Sequence, residues 1–186
     1  MVEPPALPRS PTATPEARLR PRRHTDLAAC ATLVGVLRRT DWYPPYFPGG
    51  DARALLLVPG ALGAWVAEQG GAVVGHVALH RSSSPEVMDR ARQTLDVGTG
   101  DLAVVARLMV APGARRRGLG RRLLEVATAA AERQGRRAVL DVAARFDAAV
   151  RLYASCGWIA LGEVTTRLPD GTDLAVLVFA SPPATP

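Results

Sequence analysis

Leu102-Ala103-Val104-Val105-Ala106-Arg107-Leu108-Met109-Val110 runs through Ala111-Pro112-Gly113-Ala114 into Arg115-Arg116-Arg117-Gly118-Leu119-Gly120. The first nine residues are almost continuously apolar, as in a strand buried on both faces, and Ala111-Pro112-Gly113 ends it. From Gly118 the pattern turns helical. Leu119, Leu123, Val126, Ala127, Ala130 and Ala131 share one face, and Gln134-Gly135 closes the helix. A strand that turns through arginines and glycines into a helix makes an anion site. The first N–H groups of a helix lack internal partners, and the aligned peptide dipoles favour negative charge there. Gly118 and Gly120 would let a pyrophosphate approach those amides, while Arg115, Arg116 and Arg117 add charge and forked donors.

Two other phosphate loops fail on residue identity. The Walker type needs a lysine, and the chain has none. The dinucleotide type needs a third glycine, where Leu123 stands.

Working outward, Leu19–Arg23 reads as a short strand. Thr25 or Asp26 then caps a helix that carries Leu27, Cys30, Leu33, Val34 and Leu37. The prolines of Asp41–Gly50 break that helix, and Asp51–Val58 forms a second, short one. Ala64–Glu68 and Val73–His80 are strands of a hairpin turned at Gln69-Gly70-Gly71. Arg81–Gly100 is polar and reads as a loop with a helical turn near Val87–Arg92. Ala138–Val142 is an apolar strand, Ala148–Cys156 a helix, and Trp158–Leu168 with Leu174–Ala180 a final antiparallel pair. The order predicts a mixed α/β sheet.

The length of 186 residues and the 48% hydrophobic content suit one domain. It is expected over 19–181, after a Pro-rich disordered leader at 1–18 and before a flexible tail at 182–186. No apolar run reaches the roughly 20 residues of a membrane span, and no secretory layout opens the chain. Cys30 and Cys156 give neither a disulfide framework nor a metal cluster, so a reduced, cytoplasmic protein without a metal is the expectation. All 23 basic residues are arginine, for a net charge of +6. Arg115, Arg116, Arg117, Arg121 and Arg122 fall within eight positions, which marks a local anion site. A basic balance also suits nucleic acid. However, no nucleic-acid-binding motif appears and the aromatics are not interleaved with the cluster, so nucleic acid is not the expected partner.

Ala149-Val150-Arg151-Leu152-Tyr153-Ala154-Ser155-Cys156-Gly157-Trp158 follows the loop by about 30 residues. With Arg-x-x-Gly-x-Gly at 115–120, it resembles the GNAT superfamily of acyl-CoA-dependent N-acetyltransferases, over roughly residues 19–180. The resemblance implies a mostly antiparallel sheet flanked by helices, with a splayed central strand pair. It implies acetyl-CoA as co-substrate and direct acetyl transfer to a small-molecule or peptide amine. Leu108, Met109 and Val110 would meet the pantetheine arm, and Arg115, Arg116, Arg117, Gly118, Leu119 and Gly120 the pyrophosphate. Tyr153 would be the general acid that protonates the departing thiolate. Where relatives often carry asparagine stands Phe146.

Relatives often place a glutamate base in the strand before the loop; no carboxylate interrupts that strand here. Asp101 at its entrance, His76 and His80 on the preceding strand, and a water chain all remain candidates. His76 and His80 would share one face of a regular strand. Cys156 lacks the partners of a nucleophile. Trp42, Tyr43, Tyr46 and Phe47 would wall the acceptor site. In relatives the last two strands often pair across a dimer, so a homodimer is expected. The absent strand carboxylate also leaves open a non-catalytic CoA-binding sensor, and the arginines an RNA- or DNA-binding protein.

Overall fold

Seven strands form one sheet in the order β1-β2-β3-β4-β5-β7-β6. The computed structural model describes residues 15–45, 47 and 50–183. The strands are β1 (Arg18–Pro21), β2 (Ala61–Gln69), β3 (Ala72–His80), β4 (Leu102–Val110), β5 (Arg137–Ala143), β6 (Ile159–Arg167) and β7 (Asp173–Ala180). All neighbours are antiparallel except β4 and β5, which run parallel. The helices are α1 (Leu27–Asp41), α2 (Ala52–Leu56), α3 (Pro85–Leu95), α4 (Leu119–Glu132) and α5 (Asp147–Ser155). The mixed, mostly antiparallel sheet flanked by helices is the architecture the sequence predicts.

The turns follow from residue chemistry. Gly70 and Gly71 both have positive φ, which a two-residue hairpin turn of this hand requires. Gly157 does the same after α5, where the Trp158 amide donates back to the Tyr153 carbonyl at 3.1 Å.

The sheet is buried on both faces. Val77, Leu79, Ala103, Val105, Leu140 and Val142 face α4 and α5, with Leu119, Leu123, Leu124, Ala127 and Tyr153 in the same core. Leu102, Val104, Val139 and Val178 face the other way, against α3. On that second side α1 and α2 cover Val66 and Met109.

Arg81–Gly100 holds more structure than its polarity suggests. Ser84 caps α3, Pro85 opens it, and Val87, Met88 and Ala91 are buried. The helix lies against β6 and β7 through a narrow apolar stripe among charged residues. Of the expected leader, Pro15–Arg18 lie within the described chain. Ala17 packs into the core under α4, Glu16 pairs with Arg122 at 3.0 Å, and Arg18 opens β1. The rest of the leader, and residues 184–186 of the tail, lie outside the described residues.

Helix α4 sits close to β3 because Gly75 has no side chain. A Cβ there would stand 2.9 Å from Leu123 Cδ1 and 3.2 Å from both the Ala67 Cβ and the Met109 carbonyl oxygen. Gly75→Ala is therefore expected to cost about 1–3 kcal/mol. The measurement is the denaturant midpoint at unchanged m-value. An unmoved midpoint would mean that α4 is free to ride up on the sheet.

Candidate active site

Strands β4 and β5 pair only at Leu102–Arg137, Ala103–Ala138 and Val104–Val139. Beyond that, β4 runs on for six residues and β5 for four without pairing to each other. On its outer side β4 keeps its pairing to β3 as far as Val110, and β5 stays paired to β7. The result is a gap at the centre of the sheet, lined by Val105–Val110 on one lip and Leu140–Ala143 on the other.

A bulge on β4 shapes its lip. The register with β3 shifts between His76–Met109 and Ala78–Ala106, so β4 carries one extra residue. Arg107, at φ 55, takes the left-handed conformation there. The bulge changes which residues face α4: Ala103 and Val105 before it, Leu108 and Val110 after it. Met109 is thereby turned toward α1.

The arginine-glycine loop leaves the end of this lip. Arg116 and Gly118 both have positive φ, and Gly118 is the left-handed cap of α4. The Arg122 amide is the first to find a helical acceptor, the Gly118 carbonyl at 3.1 Å. Among the described residues, the six N–H groups from Arg116 to Arg121 have no backbone or side-chain acceptor. Such a row of amides at a helix start is a cradle for an anion. Gly118 is required by its conformation, since nothing lies within 4 Å of where its Cβ would be. Gly120 is required by space, because its Cβ would stand 3.1 Å from Leu152 of α5. Arg116 and Arg117 are exposed beside the cradle. Arg115 is engaged: its Nε donates to the Val110 carbonyl at 3.1 Å, and its two terminal nitrogens grip Asp41 at 2.6 and 3.1 Å. That guanidinium holds the Asp41 carboxyl below its ordinary range.

Tyr153 comes to the gap from α5. Its ring is buried against Trp158 and Phe179, with centroids 6.1 and 5.8 Å away. No buried side-chain polar atom lacks a partner among the described residues, and the Tyr153 hydroxyl is in none of their hydrogen bonds. The hydroxyl therefore opens to accessible space. Burial, then the nearby Tyr43, Asp141 and Cys156, raise its pKa above that of a free phenol, so it holds its proton at neutral pH.

Tyr43 reaches the same place from the far side. Its ring meets Phe146 edge-on at 5.9 Å, and its hydroxyl feels Arg107 and Asp141 at once. Phe146 thus walls the gap where relatives often carry asparagine. Beside it, Asp41, Trp42, Arg145 and Phe146 line a cavity of about 300 Å³. Tyr46, expected in the same wall, lies outside the described residues.

Asp141 is the residue that the sequence reading passed over. It interrupts the apolar run of β5, and its Oδ1 accepts from the Ser83 hydroxyl at 2.8 Å. Its position was legible as a single carboxylate in an apolar strand, twelve residues before Tyr153.

The three base candidates named from the sequence sit elsewhere. Asp101 precedes the paired end of β4, and its carboxylate caps the Gly98 amide at 2.9 Å. His76 is fully buried. Its Nε2 lies 3.1 Å from Arg22 Nη1, which can only donate, so Nε2 accepts and Nδ1–H donates to the Arg107 carbonyl at 3.0 Å. His80 shares that face and is 7% exposed. Burial pushes both imidazoles down to about 4.

A model of the acetyltransferase (GNAT) family matches residues 32–158. Among solved structures, NAA60 of Arabidopsis thaliana in complex with acetyl-CoA is 21% identical with a TM-score of 0.66, over 88% of this chain and 97% of that one. A ribosomal-protein-alanine N-acetyltransferase of Brucella melitensis is 23% identical with a TM-score of 0.65, over 88% and 98%. The Escherichia coli ribosomal-protein-S18-alanine N-acetyltransferase is 20% identical with a TM-score of 0.62, over 91% and 96%. No curated protein matches the chain by sequence.

The two histidines make stability depend on pH. Each is held neutral in the fold to about pH 4, against 6.5 for a free imidazole. Between these values the unfolded chain binds more protons, so stability is complete above pH 6.5 and is lost as pH falls toward 4. Thermal midpoints measured from pH 7.5 to 4 should fall across that window, less steeply in His80→Asn. A flat profile would show that neither ring is buried neutral.

Proposed function

The chain belongs to the acetyltransferase (GNAT) family, and on that premise we propose that it transfers an acetyl group from acetyl-CoA directly to a primary amine. The six acceptor-free amides of Arg116–Arg121, at the open end of the gap between β4 and β5, carry this reading. They suit the pyrophosphate in number, polarity and position at a helix start. Arg116 and Arg117 add countercharge, and the unpaired lip of Leu108, Met109 and Val110 suits the amides of the pantetheine arm. Bound acetyl-CoA supplies a thioester, whose acetyl carbon accepts the amine while its C–S bond breaks.

The chain's own groups handle the protons. Asp141 is the base in this reading. Continuing the β4–β5 register beyond Val104–Val139 brings it opposite Ala106, one residue before Arg107, across the gap. One of its oxygens is fixed by Ser83 and the other is left to take a proton from the acceptor ammonium. The Asp101 carboxylate caps the Gly98 amide before the paired end of β4, and His76 Nε2 already accepts from Arg22. Tyr153 holds its proton by burial, and its hydroxyl, open to the gap, gives that proton to the departing sulfur. The Trp42–Phe47 wall would meet the acceptor.

Calorimetric titration of acetyl-CoA should give binding that is lost when Gly118 and Gly120 are both replaced by valine. Tyr153→Phe should retain that binding and lower kcat by roughly 100-fold or more. Asp141→Asn should lower kcat/KM on a similar scale. Absence of acetyl-CoA binding by folded wild type would sink the proposal, and a Tyr153→Phe rate equal to wild type would remove Tyr153 from it.

A further inference from the structure

Each lip of the gap carries one charged side chain inside an apolar strand. Arg107 is the only charged residue of β4, and Asp141 the only acidic residue of β5. Carried on past its last pair, Val104–Val139, the register sets Asp141 opposite Ala106, the residue before Arg107. Both charged residues stand on one side of the sheet. Arg107 Nε reaches the Leu55 carbonyl of α2, and Asp141 points away from the face on which Leu140 and Val142 meet α4. The Tyr43 ring is set edge-on against Phe146, and its hydroxyl lies near enough to Arg107 and Asp141 to feel both charges.

Arg107 is half-buried without an anion of its own. Among the described residues no carboxylate lies within ion-pair distance of it, whereas Arg20 has two and Arg92, Arg115 and Arg122 have one each. Its Nε bond to Leu55 is a long 3.4 Å, and the Tyr43 hydroxyl also meets the guanidinium. Arg22 lies behind it, joined to Leu56 at 3.0 Å and to His76, so the charge on this wall is uniformly positive. A half-buried guanidinium in such a place is stabilised by an anion that arrives with a ligand. The strained φ of Arg107 keeps the residue on the lip of the gap, at the bulge, where conformations of this kind gather at binding sites.

We propose that the acceptor is a small zwitterion, an amine bearing its own carboxylate, with the carboxylate on the Arg107 guanidinium and the ammonium at Asp141. A free α-amino acid is the simplest molecule of this kind. The inference rests on the acetyltransferase reading and names its substrate class. Arg107 here selects and positions; it takes no part in the chemistry. Its fork matches a carboxylate in two parallel hydrogen bonds, a match that an amide or ester loses.

The test supplies acetyl-CoA and follows free thiol with the proteinogenic L-amino acids, their primary amides, and short peptides with free N-termini. At least one amino acid should be acetylated, with kcat/KM on the order of 10- to 100-fold above that of its amide. In Arg107→Gln that ratio should collapse to near unity, chiefly through KM for the acid, and Arg107→Lys should restore part of it. Calorimetry with acetyl-CoA on each variant checks that the fold is kept. Amides or peptides used as well as the acids, a ratio that survives in Arg107→Gln, or no amino acid turned over by protein that binds acetyl-CoA would each overturn the proposal. Failure of the wild type to bind acetyl-CoA would instead sink the acetyltransferase reading beneath it.

Discussion

The parting of β4 from β5 after three paired residues is the constraint on which the rest of the structure depends. A sheet normally satisfies its backbone groups strand by strand, and an opening at its centre leaves polar groups exposed on two lips. The protein answers part of that need itself. The His76 ring donates to the Arg107 carbonyl, and the Arg115 side chain donates to the Val110 carbonyl. The outer edges are held by β3 and β7, so the gap can stay open without the sheet falling into two. What is left unpaired is a slot with directional donors and acceptors, shaped for an extended ligand.

The loop and Tyr153 are tied to that slot by a single close approach. Gly120 lets α4 begin so close to α5 that a Cβ there would stand 3.1 Å from Leu152, the residue before Tyr153. The anion cradle and the phenol are therefore parts of one packed unit, α4 against α5, rather than two independent sites. Arg115 makes the corresponding link on the other side by holding the end of α1, from which Trp42 and Tyr43 continue. An ion pair as exposed as Arg115–Asp41 adds little stability by itself. Its worth here is geometric, because it fixes where the Tyr43 segment starts relative to the loop.

Much of this was legible in the residues. The apolar run Leu102–Val110, the switch to helical period at Gly118 and the Ala149–Trp158 pattern specified the central strand, the cradle and the helix that carries Tyr153. Local chemistry decides each of these, so a single sequence carries them. Helix α3 reads mostly as a loop in sequence because its apolar stripe is narrow, and only packing on β6 and β7 shows the stripe to be a buried face. The bulge at Arg107 was invisible for a different reason: it needs the register of a partner strand, which periodicity along one strand does not contain. The two histidines were rightly placed on one face. Their employment by Arg22 and by burial depends on elements far away in sequence.

A gap has two lips, and β4 is only one of them. Val105–Val110 carries a cation, and the carboxylate stands opposite on β5, a strand that reads as plain core. A charge inside a strand covered on both faces costs several kcal/mol unless it is paired or finds an opening. Arg107 and Asp141 both stand where the strands have parted, and Asp141 is further steadied by Ser83. A single charge in an apolar strand next to a parallel partner is therefore a signal that the pair separates there. Two such charges of opposite sign, one per strand, mark both the place of the separation and the polarity of what fits between them.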